Sequence, residues 1–337
     1  KIKDNAGNVS ETMTDTIEYD QTVPVLTVTG PFGVDGITPL SATNGGPATY
    51  QLAASEDVSF DVGLAGKVTL VKTGTANATV STQVNGLRAA TVTLSSCTGD
   101  GALAVRIEAD AARDPAQNSS AQTSTSASFV VDNTAPIISF SAPSLAATRT
   151  SPVSYTVTYT GATSVNLTEA NIILNATGTA SGIVAVGGSG TETRTVGIFS
   201  IGGDGTLSIG IGPSTASDGV GNISGAAGPS PVCVVDNTPP GVSISAPTAT
   251  LTRTGPVSYT VSYAGADSVT LAASDITLNR TGSATGAVSV SGSGAGTRTV
   301  TISGITGDGS LGVSVASGTA VDAAGNIAGG AGPSATF

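Results

Sequence analysis

Apolar and polar side chains alternate in short runs along the chain, and this alternation predicts β-strands with one buried face. In Val257–Tyr263 every second residue is Val or Tyr, and the residues between them are Ser or Thr. Further apolar runs follow at Val269–Leu271, Ile276–Leu278, Val288–Val290, Thr299–Ile302 and Leu311–Val315. Gly, Asp, Asn and Ser, which favour tight turns, lie between these runs. The pattern therefore predicts an all-β chain.

Three short phrases return in phase along the sequence. The first, Asp-Asn-Thr-x-Pro in its fullest form, lies within Val131–Pro136, Val235–Pro240 and, more loosely, Tyr19–Pro24. The second, Asp-x-x-Gly-Asn, is found at Asp218–Asn222, Asp322–Asn326 and, less closely, Asp114–Asn118. A Gly-Asp-Gly turn places Asp100, Asp204 and Asp308 in register. Phrases that recur together at a spacing of 104 residues predict tandem copies of one domain.

These phrases divide the chain into one partial and three full repeats. Residues 1–19 contain a further copy of the second phrase, Asp4–Asn8, and are predicted to be the C-terminal strands of a preceding repeat. The full repeats are predicted at 20–131, 132–235 and 236–337, and the first is divergent because it carries an insertion before Pro47. About seven short strands in roughly 100 residues, with turns between them, predict an immunoglobulin-like β-sandwich for each repeat. Tandem sandwiches of this kind predict an extended rod.

The two longer phrases carry a family resemblance. Val-Asp-Asn-Thr-x-Pro at the start of a repeat and Asp-x-x-Gly-Asn before its last strand resemble the bacterial Ig-like repeats of large secreted adhesins and cell-surface proteins. The resemblance covers the whole chain, although Gln117 stands where the pattern expects Gly. It implies a structural stalk or spacer on the outside of a bacterial cell, in an adhesin or a surface filament. Its partners would be neighbouring repeats, other copies of itself or a ligand on a host cell, and in several family members calcium lies between successive domains.

The aspartates of the three phrases are candidates for such calcium ligands. In an immunoglobulin-like sandwich the entry segment and the loop before the last strand share one pole, and the Gly-Asp-Gly turn lies at the other. The predicted ligands at the first junction between full repeats are Asp100, Asp132, Asp218 and Asn222. Those at the second junction are Asp204, Asp236, Asp322 and Asn326. Ca²⁺ prefers carboxylate and amide oxygens, whereas turn formation alone accounts for any one of these residues taken singly.

Composition excludes several function classes. The net charge of −11, from 12 basic and 23 acidic residues, argues against nucleic-acid binding, which needs clustered Lys and Arg. The sequence contains no His, the commonest acid–base catalyst, and its recurring acids lie in equivalent turns, so we do not expect an enzyme. No apolar run is long enough to cross a bilayer, and no membrane insertion is predicted for this segment.

The two cysteines are predicted to be unpaired core residues. Cys97 aligns with Ile201 and Ile305, and Cys233 aligns with Phe129 and Phe337, so both replace large apolar side chains.

Two alternatives to a purely structural stalk remain open. Repeat one carries Glu56, Asp57 and Asp61 as well as its insertion, so it could be a binding module that recognises carbohydrate or protein. Residues 1–19 could instead complete the sheet of a neighbouring molecule by β-strand addition, because sandwiches leave unpaired edge strands.

Overall fold

The computed structural model describes residues 2–12 and 17–337. Its residue contacts divide the chain into two units, and each is described by itself. The first unit comprises the residues up to Ala135 together with Gly219–Asn222, and the second comprises Pro136–Asp218 and Ile223–Phe337. In the partial repeat, the described residues contain one isolated bridge, between Lys3 and Val9. The remainder of the predicted strands of this repeat falls partly on residues 13–16, outside the described residues.

The strands of the first unit pair mostly as antiparallel neighbours. The elements are β1 Leu26–Phe32, β2 Ala42–Thr43, β3 Ala48–Ala54, β4 Ser59–Phe60, the 3₁₀ helix η1 Leu64–Lys67, β5 Val68–Lys72, β6 Asn77–Val84, β7 Ala89–Thr98, β8 Gly101–Ile107, β9 Ala112–Arg113 and β10 Phe129–Val131. They form one four-stranded sheet in the order β1-β3-β7-β6 and a second in the order β2-β10-β8-β5, and β4 pairs with β9. The β2–β10 pair is parallel.

The second unit repeats this arrangement. Its first ten strands are β11 Ile137–Phe140, β12 Ala147–Thr148, β13 Val153–Thr160, β14 Ser164–Val165, β15 Ile172–Ala176, β16 Ser181–Gly187, β17 Thr193–Gly202, β18 Gly205–Ile211, β19 Ala216–Ser217 and β20 Cys233–Val235, with the 3₁₀ helix η2 at Glu169–Asn171. The sheets run β11-β13-β17-β16 and β12-β20-β18-β15, and β14 pairs with β19.

The remaining strands of the second unit follow the same order along the chain. They are β21 Gly241–Ile244, β22 Val257–Ala264, β23 Ser268–Val269, β24 Ile276–Arg280, β25 Thr285–Ser291, β26 Thr297–Thr306, β27 Leu311–Val315 and β28 Ala320–Val321, with the 3₁₀ helix η3 at Ala273–Asp275. They form the sheet β21-β22-β26-β25 and the pairs β23-β28 and β24-β27.

The alternating pattern explains which side chains form the core. In β13, Val153, Tyr155, Val157 and Tyr159 are buried and Thr156 is exposed, because successive side chains of a strand point to opposite faces. The buried apolar residues form three clusters, one within residues 26–131, one within 153–235 and one within 259–328. Each cluster contains a buried tyrosine whose hydroxyl donates to a backbone carbonyl, as Tyr155 does to Leu207 at 3.3 Å. Strands of this kind bury apolar area without leaving the phenol unpaired.

The structure confirms the predicted all-β class, and its several mostly antiparallel sheets are compatible with β-sandwiches. Cys97 and Cys233 are both buried and unpaired, as expected. The predicted strand at Val269–Leu271 is shorter than expected: β23 covers Ser268–Val269, the Thr270 N–H makes one further backbone bond to Thr319 at 2.9 Å, and η3 begins at Ala273. The immunoglobulin-like arrangement and the division into three full repeats stay predictions. No helix among the described residues has the length and apolarity that a membrane crossing requires.

Candidate functional site

Three acidic side chains of the first unit come together around the start of its first full repeat. Asp20, Glu56 and Asp114 each place a carboxylate oxygen within 4.8 Å of the other two. Asp20 is exposed and Glu56 is half-buried, whereas Asp114 retains only 2% of its exposure. Among the described residues, this is the group of three acidic side chains that meets the spacing of a metal site.

Local turn chemistry holds two of these residues in place. The Asp114 carboxylate accepts hydrogen bonds from the backbone N–H and from the side-chain amide of Asn118, both at 2.8 Å. The same amide donates to the backbone carbonyl of Asp20 at 3.1 Å. Asp20 closes its own turn by accepting from the Thr22 N–H at 2.8 Å. The Asn118 side chain therefore joins the loop before the last strand to the entry of the repeat.

Glu56 is the member of the group that the repeated phrases do not contain. It lies six residues after Tyr50, where the other two full repeats have Gly161 and Gly265 six residues after Tyr155 and Tyr259. Sequence reasoning singled out Glu56 as a peculiarity of repeat one but did not connect it with Asp20 and Asp114. A strand alignment through the buried tyrosines would have placed it at the end of β3, next to the repeat entry.

The chemistry of the group suits a hard cation. Three carboxylates at this spacing repel one another unless a cation or a proton neutralises part of the charge. Carboxylate oxygens are the ligands that Ca²⁺ prefers, and the flexible Ca²⁺ coordination shell is completed by backbone carbonyls and water. Asp20 and Asp114 are the counterparts, in the first full repeat, of the aspartates predicted as ligands at both later junctions.

The predicted residues of the first junction act as hydrogen-bond partners in the structure. The Asp100 carboxylate accepts from the Asn133 N–H at 2.7 Å and from the Thr134 hydroxyl at 3.0 Å. The Asp132 carboxylate accepts from the Thr134 N–H at 3.0 Å, and its backbone carbonyl accepts from the Asn222 amide at 2.8 Å. Asp218 lies directly after β19 and is half-buried.

The second predicted set has the same pattern within the second unit. Asp204 accepts from the Asn237 N–H at 2.5 Å, and Asp236 accepts from the Thr238 N–H at 2.9 Å. The Asn326 side-chain amide bridges the Asp236 carbonyl at 2.7 Å and the Asp322 carboxylate at 2.9 Å. Each of these carboxylates thus takes part in a turn. Calcium binding at the two junctions stays a prediction.

The environment of Asp322 favours its charged form. Burial is the largest influence and opposes ionisation, but the hydrogen bonds from the Asn326 side chain and backbone and from the backbone of Ala324 and Gly325 together outweigh it. The pKa of Asp322 is therefore lowered from its ordinary value.

Comparison with known proteins yields no relative. No protein-family model matches the chain, and no curated protein is significantly similar to it. The resemblance to the repeats of bacterial adhesins accordingly stays a prediction based on the two phrases.

Proposed function

We propose that this chain is a structural spacer of tandem immunoglobulin-like sandwiches within a large extracellular protein of a bacterial surface. The observation that supports this proposal is a set of hydrogen bonds around each repeat entry, which we call the entry clamp. In the second unit the clamp comprises the Asn237–Asp204 bond from the preceding turn and the Asn326–Asp236 bond from the following loop. A linker held from both sides has few backbone conformations, so it can transmit force and orientation along a tandem array.

The same clamp geometry recurs in the first unit. Asn133 donates to Asp100 at 2.7 Å, and the Asn222 amide donates to the carbonyl of Asp132 at 2.8 Å. Repetition of one restraint at successive entries is what a spacer needs, since its length and stiffness are set by identical connections in series. A catalytic or receptor site, in contrast, would need to occur only once.

Calcium is part of the same proposal. A Ca²⁺ ion held by Asp20, Glu56 and Asp114 would neutralise their mutual repulsion and join the repeat entry to the loop before the last strand. Ions at the junction aspartates would act in the same way and stiffen a rod-like array. Because Ca²⁺ would bind the folded chain and not the unfolded chain, it would raise the free energy of unfolding by mass action.

The clamp is tested with the matched variants Asp204→Ala and Asp308→Ala. Both remove the aspartate of a Gly-Asp-Gly turn. The Asp204 carboxylate accepts from the Asn237 N–H at a repeat entry, whereas within residues 2–12 and 17–337 the Asp308 carboxylate accepts no such bond. Small-angle scattering should show a broader distribution of interatomic distances for Asp204→Ala than for the wild-type protein, and no change for Asp308→Ala. Identical profiles for all three proteins would contradict the clamp.

The calcium component is tested separately by titration calorimetry. We expect binding at micromolar to millimolar Ca²⁺, and a loss of affinity of about tenfold in Glu56→Gly, which installs the residue found in the other two repeats, because one carboxylate ligand is removed. Asp57→Ala, which alters the neighbouring carboxylate outside the group, is the control. Absence of heat at millimolar Ca²⁺ would refute the calcium component and leave the clamp untouched.

A further inference from the structure

A polar cleft in the first unit lies beside the β4–β9 pair. It has two adjoining parts of about 270 and about 310 Å³, and Ser59, Arg113 and Gln117 line both of them. Asp61 and Asp110 line one part, and Asp57, Asp114 and Leu87 line the other. At the same place in the second repeat the corresponding pocket has about 140 Å³ and is lined mainly by Ser and Asn side chains. The cleft is thus a larger version of a pocket that the second repeat also has.

Gln117 occupies a backbone conformation that glycine would adopt with less strain. Its φ is +72°, whereas the residues at this position in the other full repeats are Gly221 and Gly325, with φ of +96° and +86°. The left-handed region disfavours residues with a Cβ atom. Since the loop folds with glycine in its other copies, the Gln117 side chain is not needed for the turn. Gln117 lines both parts of the cleft, and its side-chain amide adds one donor group and one acceptor to the lining.

Arg113 adds donors that the protein itself uses weakly. Its guanidinium contacts Asp110 and the Gln117 carbonyl, each at 3.4 Å, and its side chain remains 48% exposed. The counterparts of Arg113 in the other full repeats are Ser217 and Val321, since the three residues end the equivalent strands β9, β19 and β28. A guanidinium has five N–H donors, so most of them stay available to a ligand.

The acceptors of the cleft are also specific to this repeat. Asp61 follows β4, where the other repeats have Asn166 and Thr270 after β14 and β23. One Asp61 oxygen accepts from the Gly63 N–H at 2.7 Å, and Asp110 binds Arg113 only through the long contact. Exposed apolar surface adjoins these groups, since Leu87 is 63% exposed.

The charges restrict the class of ligand. Arg113 lines both parts of the cleft and disfavours a cation beside it, and Asp57 and Asp110 are each paired with an arginine. The carboxylates of Asp61 and Asp114, one in each part, disfavour an anion. A neutral molecule with adjacent hydroxyl groups satisfies guanidinium donors, carboxylate acceptors and an amide at once, and its C–H face can cover Leu87. We propose that this cleft of repeat one binds a neutral carbohydrate. The inference is independent of the proposed spacer function; Asp114 lines the cleft and also belongs to the proposed calcium group, so the sugar is tested with calcium removed.

The proposal is tested by saturation-transfer NMR on the full chain, in the presence of a chelator. The probes are maltose, cellobiose and lactose at about 10 mM, a concentration suited to millimolar dissociation constants. We expect signal for at least one sugar, and affinity about tenfold weaker in Arg113→Ser and in Gln117→Gly, since each removes hydrogen bonds from the ligand. Arg253→Ser, which lies in the second unit, should bind as the wild type does.

Both cleft variants carry residues that the other repeats accept at these positions, so both should fold. Failure of all three sugars to bind would overturn the proposal. Binding that neither cleft variant weakens would overturn it equally, because the sugar would then lie elsewhere. Tighter binding of glucuronic acid or glucosamine than of any neutral sugar would assign the cleft to a charged ligand instead.

Discussion

The loop Asp114–Asn118 and the loop Asp322–Asn326 are two copies of one turn in different surroundings. In each, the aspartate carboxylate accepts two hydrogen bonds from the asparagine, and the asparagine amide reaches the backbone carbonyl at the repeat entry. The residues in and around the loops differ: the first has Glu56, Arg113 and Gln117, whereas the second has Gly265, Val321 and Gly325 at the same positions.

Some residues of the first loop are needed for the turn, and others are additional to it. The Asp–Asn pair is sufficient for the turn, because the same bonds form in the Asp4–Asn8 copy as well. Glu56 and Arg113 add charge, and Gln117 adds backbone strain, that the turn does not require. The acidic group and the cleft proposed as binding sites in repeat one both depend on these additional residues, whereas the loop of repeat three contains only the residues of the connection.

The largest expected effect is a difference in stability when the asparagine of each loop is replaced by alanine. Asn326 is 3% exposed and its amide bonds measure 2.7 and 2.9 Å, whereas Asn118 is half-buried with bonds of 3.1 and 2.8 Å. Asn326→Ala should lower the free energy of unfolding of its repeat by about 2–3 kcal/mol, because a buried side chain loses two hydrogen bonds, and Asn118→Ala by about 1 kcal/mol, because its amide is more exposed and its bond to the entry carbonyl is longer. Hydrogen exchange of amides in β27 and β8 reports the two repeats separately. Equal losses would mean that burial does not strengthen the clamp.

How much of this could be predicted from sequence differs between the fold and the site. The strand positions follow from alternation, and the turn aspartates follow from their recurrence, because both signals depend on local periodicity. Glu56 and Gln117 could not be connected with the site in the same way. They are departures from the repeat, and their proximity to Asp20 and Asp114 arises from the pairing of strands far apart in sequence.

The wrong length predicted for the strand at Val269–Leu271 has a related cause. Leu271 is buried like a strand residue, so its apolar character gave no sign that the regular strand stops short of it. Directly after Leu271 the Ala272 N–H donates to the Asp275 carboxylate at 2.8 Å, and the chain continues as η3. The hydrophobic pattern does not show where a polar side chain binds a backbone N–H and closes a turn.

A smaller effect is expected when the residues at the glycine position of the two loops are exchanged. Gln117→Gly should raise the free energy of unfolding of the first repeat by about 1 kcal/mol, because it relieves a left-handed conformation at a residue with a Cβ atom. Gly325→Gln should lower that of the third repeat by about the same amount, since Gly325 has a φ of +86°. Urea unfolding monitored by hydrogen exchange measures both. If Gln117→Gly destabilises its repeat, the side chain contributes to folding and the binding argument for it weakens.

The smallest expected effect is a dependence of the third repeat on acid. The pKa of Asp322 is lowered in the folded chain, so the unfolded chain binds a proton more readily at this residue. The stabilisation is therefore complete above the ordinary aspartate pKa and is lost as the pH falls through the lowered value of the folded state. Asp322→Asn keeps an acceptor for the Asn326 N–H but cannot titrate, so its stability between pH 5 and pH 2 should decline less steeply than that of the wild type. Parallel declines, measured by thermal unfolding across this range, would show that other carboxylates dominate and that the Asn326 bonds contribute little to the charged state of Asp322.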